Sequence, residues 1–384
     1  MNPIKTLFVL CVNILCALCV DAAAPRIVLE LPPGPGNPRN SEGSFAMLRD
    51  GRVMYAYTRF TSGIRDGLPD SGAAEIVARF SSDGGLTWTT NDTPVVANEG
   101  AFNVCCPTLL RLQTGELALF YLRKNSMSDC RPLMRRSFNE GATWGRPVEC
   151  VADDVAYYVL NNDRVIQLRD GRLLFAVSRH DFGEGKSFSN MAEIETFFSD
   201  DNGMMWRRGQ SRLQVRTPDG VQHTAQEPGV VELGDGRILM WIRTDAGCQY
   251  FSHSADRGET WSKPQPSPLV SPLSPASVKR LPTGDLLALW NDHSSRPEMK
   301  TLGPTWAHGA RTPLAAALSH DEGETWSASR LLEDDPNGWF CYTAIHPLGD
   351  GTVLLAYCAY ENLAHSRIAK VPLAWFYGGA DGKK

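Results

Sequence analysis

Ser81-Ser-Asp-Gly-Gly-Leu-Thr-Trp88 is the stretch that decides the fold, because it returns four more times. The copies are Ser137-Phe-Asn-Glu-Gly-Ala-Thr-Trp144, Ser199-Asp-Asp-Asn-Gly-Met-Met-Trp206, Ser254-Ala-Asp-Arg-Gly-Glu-Thr-Trp261 and Ser319-His-Asp-Glu-Gly-Glu-Thr-Trp326. They reduce to Ser-x-Asp-x-Gly-x-Thr-Trp, degraded in the second and third copies, and they recur roughly every sixty residues. The physics of the octapeptide is that of a hairpin. Its Asp accepts backbone N–H groups and favours a turn. Its Gly takes the positive-φ position. Its Trp closes the turn by packing under it. These residues are assigned to the fold and given no catalytic role.

A second signal interleaves with the first. Leu-x-x-Gly turns followed by apolar segments end at Gly51, Gly115, Gly171, Gly236, Gly284 and Gly351. Leu48-Arg-Asp-Gly-Arg-Val-Met-Tyr-Ala-Tyr57 and Leu233-Gly-Asp-Gly-Arg-Ile-Leu-Met-Trp241 each read as strand end, tight turn and next strand. Strong helical periodicity is absent. Repeated antiparallel units of this period imply an all-β chain folded as a six-bladed β-propeller with four strands per blade. The sixth unit lacks the octapeptide. Ser366-Arg-Ile-Ala-Lys-Val-Pro-Leu-Ala-Trp375 reads as one of its strands. Arg26-Ile-Val-Leu-Glu30 is expected to complete that unit from the other end of the chain, leaving no open sheet edge.

Composition bounds the function. Of 384 residues, 42% are hydrophobic and 21% charged, which suits a soluble globular protein and excludes a disordered or fibrous one. The formal net charge is -5, so no basic field exists to attract nucleic acid. Lys5, the apolar run from Leu7 to Val20 and the small residues Ala22 to Ala24 read as a secretory signal over 1–24. The run is too short for a spanning helix, although an uncleaved anchor is the alternative. The expectation is a protein secreted to the periplasm, cell surface or medium, without membrane insertion after cleavage. One monomeric domain is expected over 25–378, with a tail over 379–384. Cys11, Cys16 and Cys19 fall in the leader, which leaves Cys105, Cys106, Cys130, Cys150, Cys248, Cys341 and Cys358. An odd number is no disulfide framework. Cys130 and Cys150 flank one hairpin and could pair, or be buried small hydrophobes like the rest. No metal-ligand spacing follows the leader, so no metal and no cofactor is expected.

The five octapeptides resemble the Asp boxes of sialidase-like propellers, and the chain is similar to the sialidase (neuraminidase) superfamily with BNR repeats. That resemblance implies three arginines, an acid/base Asp and a Tyr–Glu pair. Glu227-Pro-Gly-Val-Val-Glu-Leu-Gly-Asp-Gly-Arg-Ile-Leu-Met-Trp-Ile-Arg243 looks like the segment carrying the Glu and one arginine. Arg311, which leads into the last Asp box, resembles the third arginine. Tyr342, ahead of the Gly351 turn, is similar to the nucleophile. Arg39 opens the first blade and matches the first arginine, but Asn40-Ser41-Glu42 follows where the family usually places a small apolar residue and Pro. The acid/base position falls on the loop Thr61–Ala74, which offers Asp66 and Asp70, and Asp70 matches the spacing better.

These residue types suit the chemistry the resemblance implies. A carboxylate on the anomeric carbon calls for guanidinium forks, which stay charged and bind in a bidentate manner. A carboxylate nucleophile would be repelled there, whereas a phenol is neutral until a base such as Glu227 takes its proton. Asp70 would protonate the leaving oxygen and then activate water, which calls for a raised pKa. Glu42, Asp163, Arg164, Arg179 and Trp306 are further pocket candidates, or structural ions; His308, His223 and Gln226 stand near the matched segments. The implied function is a retaining exo-sialidase acting on sialylated or other acidic glycans. The alternatives are a glycosidase for another acidic ulosonic or uronic sugar and a non-catalytic glycan-binding propeller.

Overall fold

Each Leu-x-x-Gly turn links the first strand of a sheet to the second. In the first, Leu48 N–H donates to Arg52 O at 2.8 Å and Gly51 N–H to Leu48 O at 3.0 Å. Gly51 has φ +86°, a conformation that a side chain would make costly. The Leu N–H bond recurs at all five later turns. The computed structural model describes residues 24–65, 67–68, 70–182, 187–217, 219–294, 310–360 and 364–378, without the side chains of 181, 182 and 187. The expected leader up to residue 23 and the tail over 379–384 lie outside the described residues.

The described strands form a six-bladed β-propeller. Blade 1 runs outward through Arg39–Met47, Val53–Phe60, Ala74–Ser81 and Thr93–Val96. The innermost strands of blades 2, 4, 5 and 6 are Asn103–Arg111, Gln226–Glu232, Ser277–Arg280 and Cys341–Pro347. In blade 3 the inner strand is split into Tyr158–Val159 and Ile166–Gln167. Blade 6 borrows its outermost strand, Arg26–Leu31, from the other end of the chain, with Arg26 opposite Lys370 and Leu31 opposite Ser366. Closure therefore happens where the sequence places it. The last strand stops at Pro372, and Leu373–Phe376 make one helical turn rather than continuing it.

The octapeptides behave as hairpin clasps. Ser81 Oγ lies 2.8 Å from Asp83 Oδ1, and that oxygen accepts from the N–H groups of Leu86 at 3.0 Å and Thr87 at 2.9 Å. In the second copy Asn139 Oδ1 takes the Thr143 N–H at 2.9 Å in the same way. Each clasp also presses on the preceding blade. A Cβ on Gly85 would lie 2.7 Å from Leu354 of blade 6, and one on Gly258 would lie 2.7 Å from Leu174 of blade 3. Apolar burial follows the same joints. Met54 and Ala78 of blade 1 cluster with Leu119 and Leu133 of blade 2, and Leu174 of blade 3 with Met240 of blade 4. The core is thus a set of blade-to-blade interfaces around a polar axis.

Cys130 and Cys150 are both buried and neither forms a disulfide. Of the two expectations for that pair, the small-hydrophobe role is the one observed: both pack into the cluster between blades 2 and 3.

Gly258→Ala places a methyl against Leu174 at a residue with φ +87°. The expected loss is about 2–4 kcal/mol, combining backbone strain with overpacking, and urea unfolding measures it.

Candidate functional site

A regular strand sends successive side chains to opposite faces. The innermost strands break this rule at one shared place. Glu42, Cys106, Glu227 and Tyr342 each stand nine residues before the turn glycine of their blade. The register shifts around all four: between Ser41 and Gly43, Cys105 and Thr108, Gln226 and Gly229, and Cys341 and Ala344. Such bulges re-aim a side chain. Three of these residues take left-handed backbone, Cys106 at φ +59°, Glu227 at +45° and Tyr342 at +58°. Strain of this kind costs on the order of 1–3 kcal/mol per residue and concentrates where function demands it.

All four bulge residues line one cavity of about 170 Å³, shared with Arg39 and Asp70. Tyr342 OH donates to Glu227 Oε1 at 3.0 Å. Arg243 Nη1 sits 2.7 Å from Glu227 Oε2, on the second strand of the same blade. The Arg311 guanidinium lies 5.3 Å from the Tyr342 ring centre and 5.4 Å from that of Trp339, and its Nη1 donates to Cys341 Sγ at 2.9 Å. On the blade 1 side, Arg39 pairs with Asp70 at 2.5 Å and Glu42 at 3.5 Å, and lies over Phe60. Asn103 Nδ2 holds the Asp70 loop by its backbone carbonyl at 2.8 Å. Arginines from three blades thus surround the Tyr–Glu pair and the Asp.

Electrostatics sets the charge states. Burial opposes ionisation of Glu227, but Arg243 and Arg311 outweigh it and hold the carboxyl below its ordinary value. Burial and the Glu227 charge raise the Tyr342 phenol well above its usual value, with Arg311 and Arg243 pulling the other way. Burial raises the Glu42 carboxyl despite Arg39. For Asp70, desolvation is outweighed by the charge and hydrogen bond of Arg39, so its carboxyl is lowered. This opposes the raised value expected from its sequence role, because Arg39 is its ion-pair partner.

Other candidates are placed elsewhere. Asp163 accepts from Ser44 Oγ at 3.2 Å, Lys279 Nζ at 2.8 Å and Ile345 N–H at 3.1 Å, so it ties blades 1, 3, 5 and 6. Arg164 donates to Ala276 O at 2.6 Å and Ser277 Oγ at 3.1 Å and stacks over Trp241. Both fasten the axis and do not line the cavity. Arg179 does not line it either: it pairs with Asp154 at 3.0 Å and Glu195 at 3.7 Å within blade 3. His223 pairs with Asp245, whereas Gln226 lines the cavity. Trp306, His308 and Asp66 lie outside the described residues. Sequence reasoning missed Cys106, Lys124 and Tyr157 as lining residues. For Cys106 the signal was present, in its equal spacing from the turn. For the others it was not, because neighbouring strands bring them in.

Fold and site together define a propeller whose axial cavity is lined by Arg39 and a Tyr–Glu pair, with Arg243 and Arg311 packed behind that pair and outside the lining. Residues 60–355 match the BNR repeat-like domain, and the chain belongs to that family. It is 24% identical over 347 residues to an anhydrosialidase of Macrobdella decora, covering 83% of this chain and 42% of that protein. It is 28% identical over 188 residues to a sialidase of Micromonospora viridifaciens, covering 47% of this chain and 25% of that protein. The chain therefore spans less than half the length of these relatives. Among solved structures, a leech intramolecular trans-sialidase complexed with 2,7-anhydro-Neu5Ac superposes with TM-score 0.68 at 15% identity, covering 93% of this chain and 71% of that one. At that identity the likeness speaks for the fold.

Arg39→Met removes the strongest of the charges that lower Asp70 and leaves only the weaker pull of Lys124 and Arg311 against its desolvation. The Asp70 titration is expected to move upward by about 1–3 units, read by carboxyl-carbon NMR of the labelled protein. A titration that stays in place would exclude Arg39 as the cause.

Proposed function

We propose that the protein is an exported retaining exo-glycosidase that removes terminal sialic acids from glycans. One observation carries the reading: the Tyr342–Glu227 hydrogen bond lies between two buried arginines, Arg243 and Arg311. A phenol with a carboxylate acceptor and cationic neighbours is a nucleophile suited to a substrate that is itself an anion.

In this reading Arg39, Arg243 and Arg311 grip the substrate carboxylate, and Arg39 gives up Asp70 in doing so. Glu227 takes the phenolic proton while the Tyr342 oxygen attacks the anomeric carbon. Asp70, no longer paired, takes up a proton from solvent and passes it to the departing glycan oxygen. It then accepts a proton from water, which attacks the same carbon and breaks the bond to Tyr342, whose oxygen takes its proton back from Glu227. Two displacements retain the configuration. The leader over 1–24 supports export.

A second reading keeps the mechanism and changes the sugar. Glu42 puts an extra carboxylate into the cavity beside Arg39. It would accept hydroxyl donors of another acidic ulosonic or uronic residue.

The test is hydrolysis of an aryl sialoside, with related keto-acid glycosides in parallel. Tyr342→Phe should lower turnover on the order of 10²–10⁴-fold. Unchanged turnover in that variant removes Tyr342 as nucleophile. Tight binding without cleavage of any acidic glycoside makes the protein a glycan-binding propeller.

The pH profile follows from Glu227. It acts as base only when ionised, so activity is present above its pKa and lost as the pH falls through it. The acid limb of kcat/KM is expected below 4.5, the ordinary Glu value. Arg243→Met should shift that limb upward, and an unshifted limb would assign it to another group.

A further inference from the structure

Neighbouring residues of a strand ordinarily face apart, yet Cys105 and Cys106 line the same cavity. The bulge between Cys105 and Thr108 brings this about, and the Cys106 N–H bond to Thr58 Oγ1 at 3.0 Å pins it. The two sulfurs stand 3.3 Å apart, with Cys106 donating to Cys105. Neither is in a disulfide, and both are partly exposed. The proposed glycosidase steps use neither thiol.

We propose that Cys105 and Cys106 form a dithiol modification site in the cavity wall, which closes reversibly to a vicinal disulfide by exchange with a small disulfide compound. Cys105 is the acceptor of the S–H···S contact and makes the first attack. The hydrogen bond to Cys105 and burial keep the Cys106 thiol well above its usual value, so it holds its proton until then. Attack by the Cys105 sulfur breaks the reagent's S–S bond and releases one half as a thiol. Cys106 then attacks the Cys105 sulfur and releases the other half. Two protons and two electrons leave the cysteine pair and end on the two thiols of the cleaved reagent.

The geometry also makes the bond reversible. Adjacent Cα atoms are about 3.8 Å apart, below the roughly 4.4–6.8 Å of ordinary disulfides. Strained disulfides are the readily reduced ones. Closure draws the sulfurs from contact to a bond of about 2.05 Å and removes both S–H groups from the wall. Cys106 occupies the blade 2 counterpart of Glu227 and Tyr342, so the change falls inside the proposed sugar pocket. Its effect on turnover rests on the glycosidase reading, whereas the thiol chemistry does not.

The two are separable by experiment. Trypsin cleavage after Arg79 and Arg111 isolates both cysteines in one peptide, apart from Cys130. After hydroxyethyl disulfide treatment of the full chain, that peptide should be lighter by two hydrogen atoms and regain them with dithiothreitol. Phenylarsine oxide should bridge the pair as a single adduct, lost in both Cys105→Ser and Cys106→Ser and kept in Cys130→Ser. Free thiols, or a persistent mixed disulfide, on the wild-type peptide would overturn the proposal without recourse to any variant. Aryl sialoside turnover should fall at least about tenfold on closure and return on reduction. Full turnover in the closed form overturns the control of activity. No turnover before treatment counts against the glycosidase reading, and the peptide masses still decide the dithiol.

Discussion

The reacting side chains of this ring are aimed where the inner strands stop being regular. A pleated strand offers two faces, and in a propeller both are committed to packing between blades. The bulges at Glu42, Cys106, Glu227 and Tyr342 supply a third direction. Left-handed backbone at Glu227 and Tyr342 is what points a carboxylate and a phenol at each other across two blades. Those conformations are costly alone. They persist because the strands on either side are locked by ladder bonds and by apolar clusters shared with the next blade.

The same axis has to be filled as well as hollow. Just beyond the bulges, toward the turns, Asn162, Asp163 and Arg164 interrupt the inner strand of blade 3 and reach across the ring. Asn162 donates to Gly43 O and Tyr342 O, at 2.8 and 3.0 Å. Asp163 and Arg164 extend this web to blade 5. Backbone carbonyls that a narrow ring leaves unpaired find partners here, as buried polar groups must. The Tyr342 backbone is thus fixed from behind by a residue with no contact to the cavity.

Charge around the cavity is not neutralised pair by pair. Arg243 shares Glu227 with Tyr342, Arg39 shares Asp70 and Glu42, and Arg311 has a thiol and two aromatic faces. The Cys341 thiol is drawn below its ordinary value by Cys358 and Arg311 against its burial.

Much of this was legible in the chain. Asp-x-Gly clasps and Leu-x-x-Gly turns act through near neighbours, so five octapeptides and six turns announced six blades, the split sixth unit and its closing strand. Arg243, Arg311, Tyr342 and Glu227 were picked out because their segments resemble those that carry the arginines and the Tyr–Glu pair in the sialidase superfamily. What stayed hidden depends on long-range geometry. Asp163, Arg164 and Arg179 carry the same charges as pocket residues, and only their partners from other blades show them to be fasteners. Asp70 has its charge state set by Arg39, thirty-one residues away. Cys105 and Cys106 look like any adjacent pair until a bulge turns both sulfurs one way. Local sequence determined the repeating unit, because turns are short-range physics. The ring alone decided which polar residues meet, because that depends on where six strands converge.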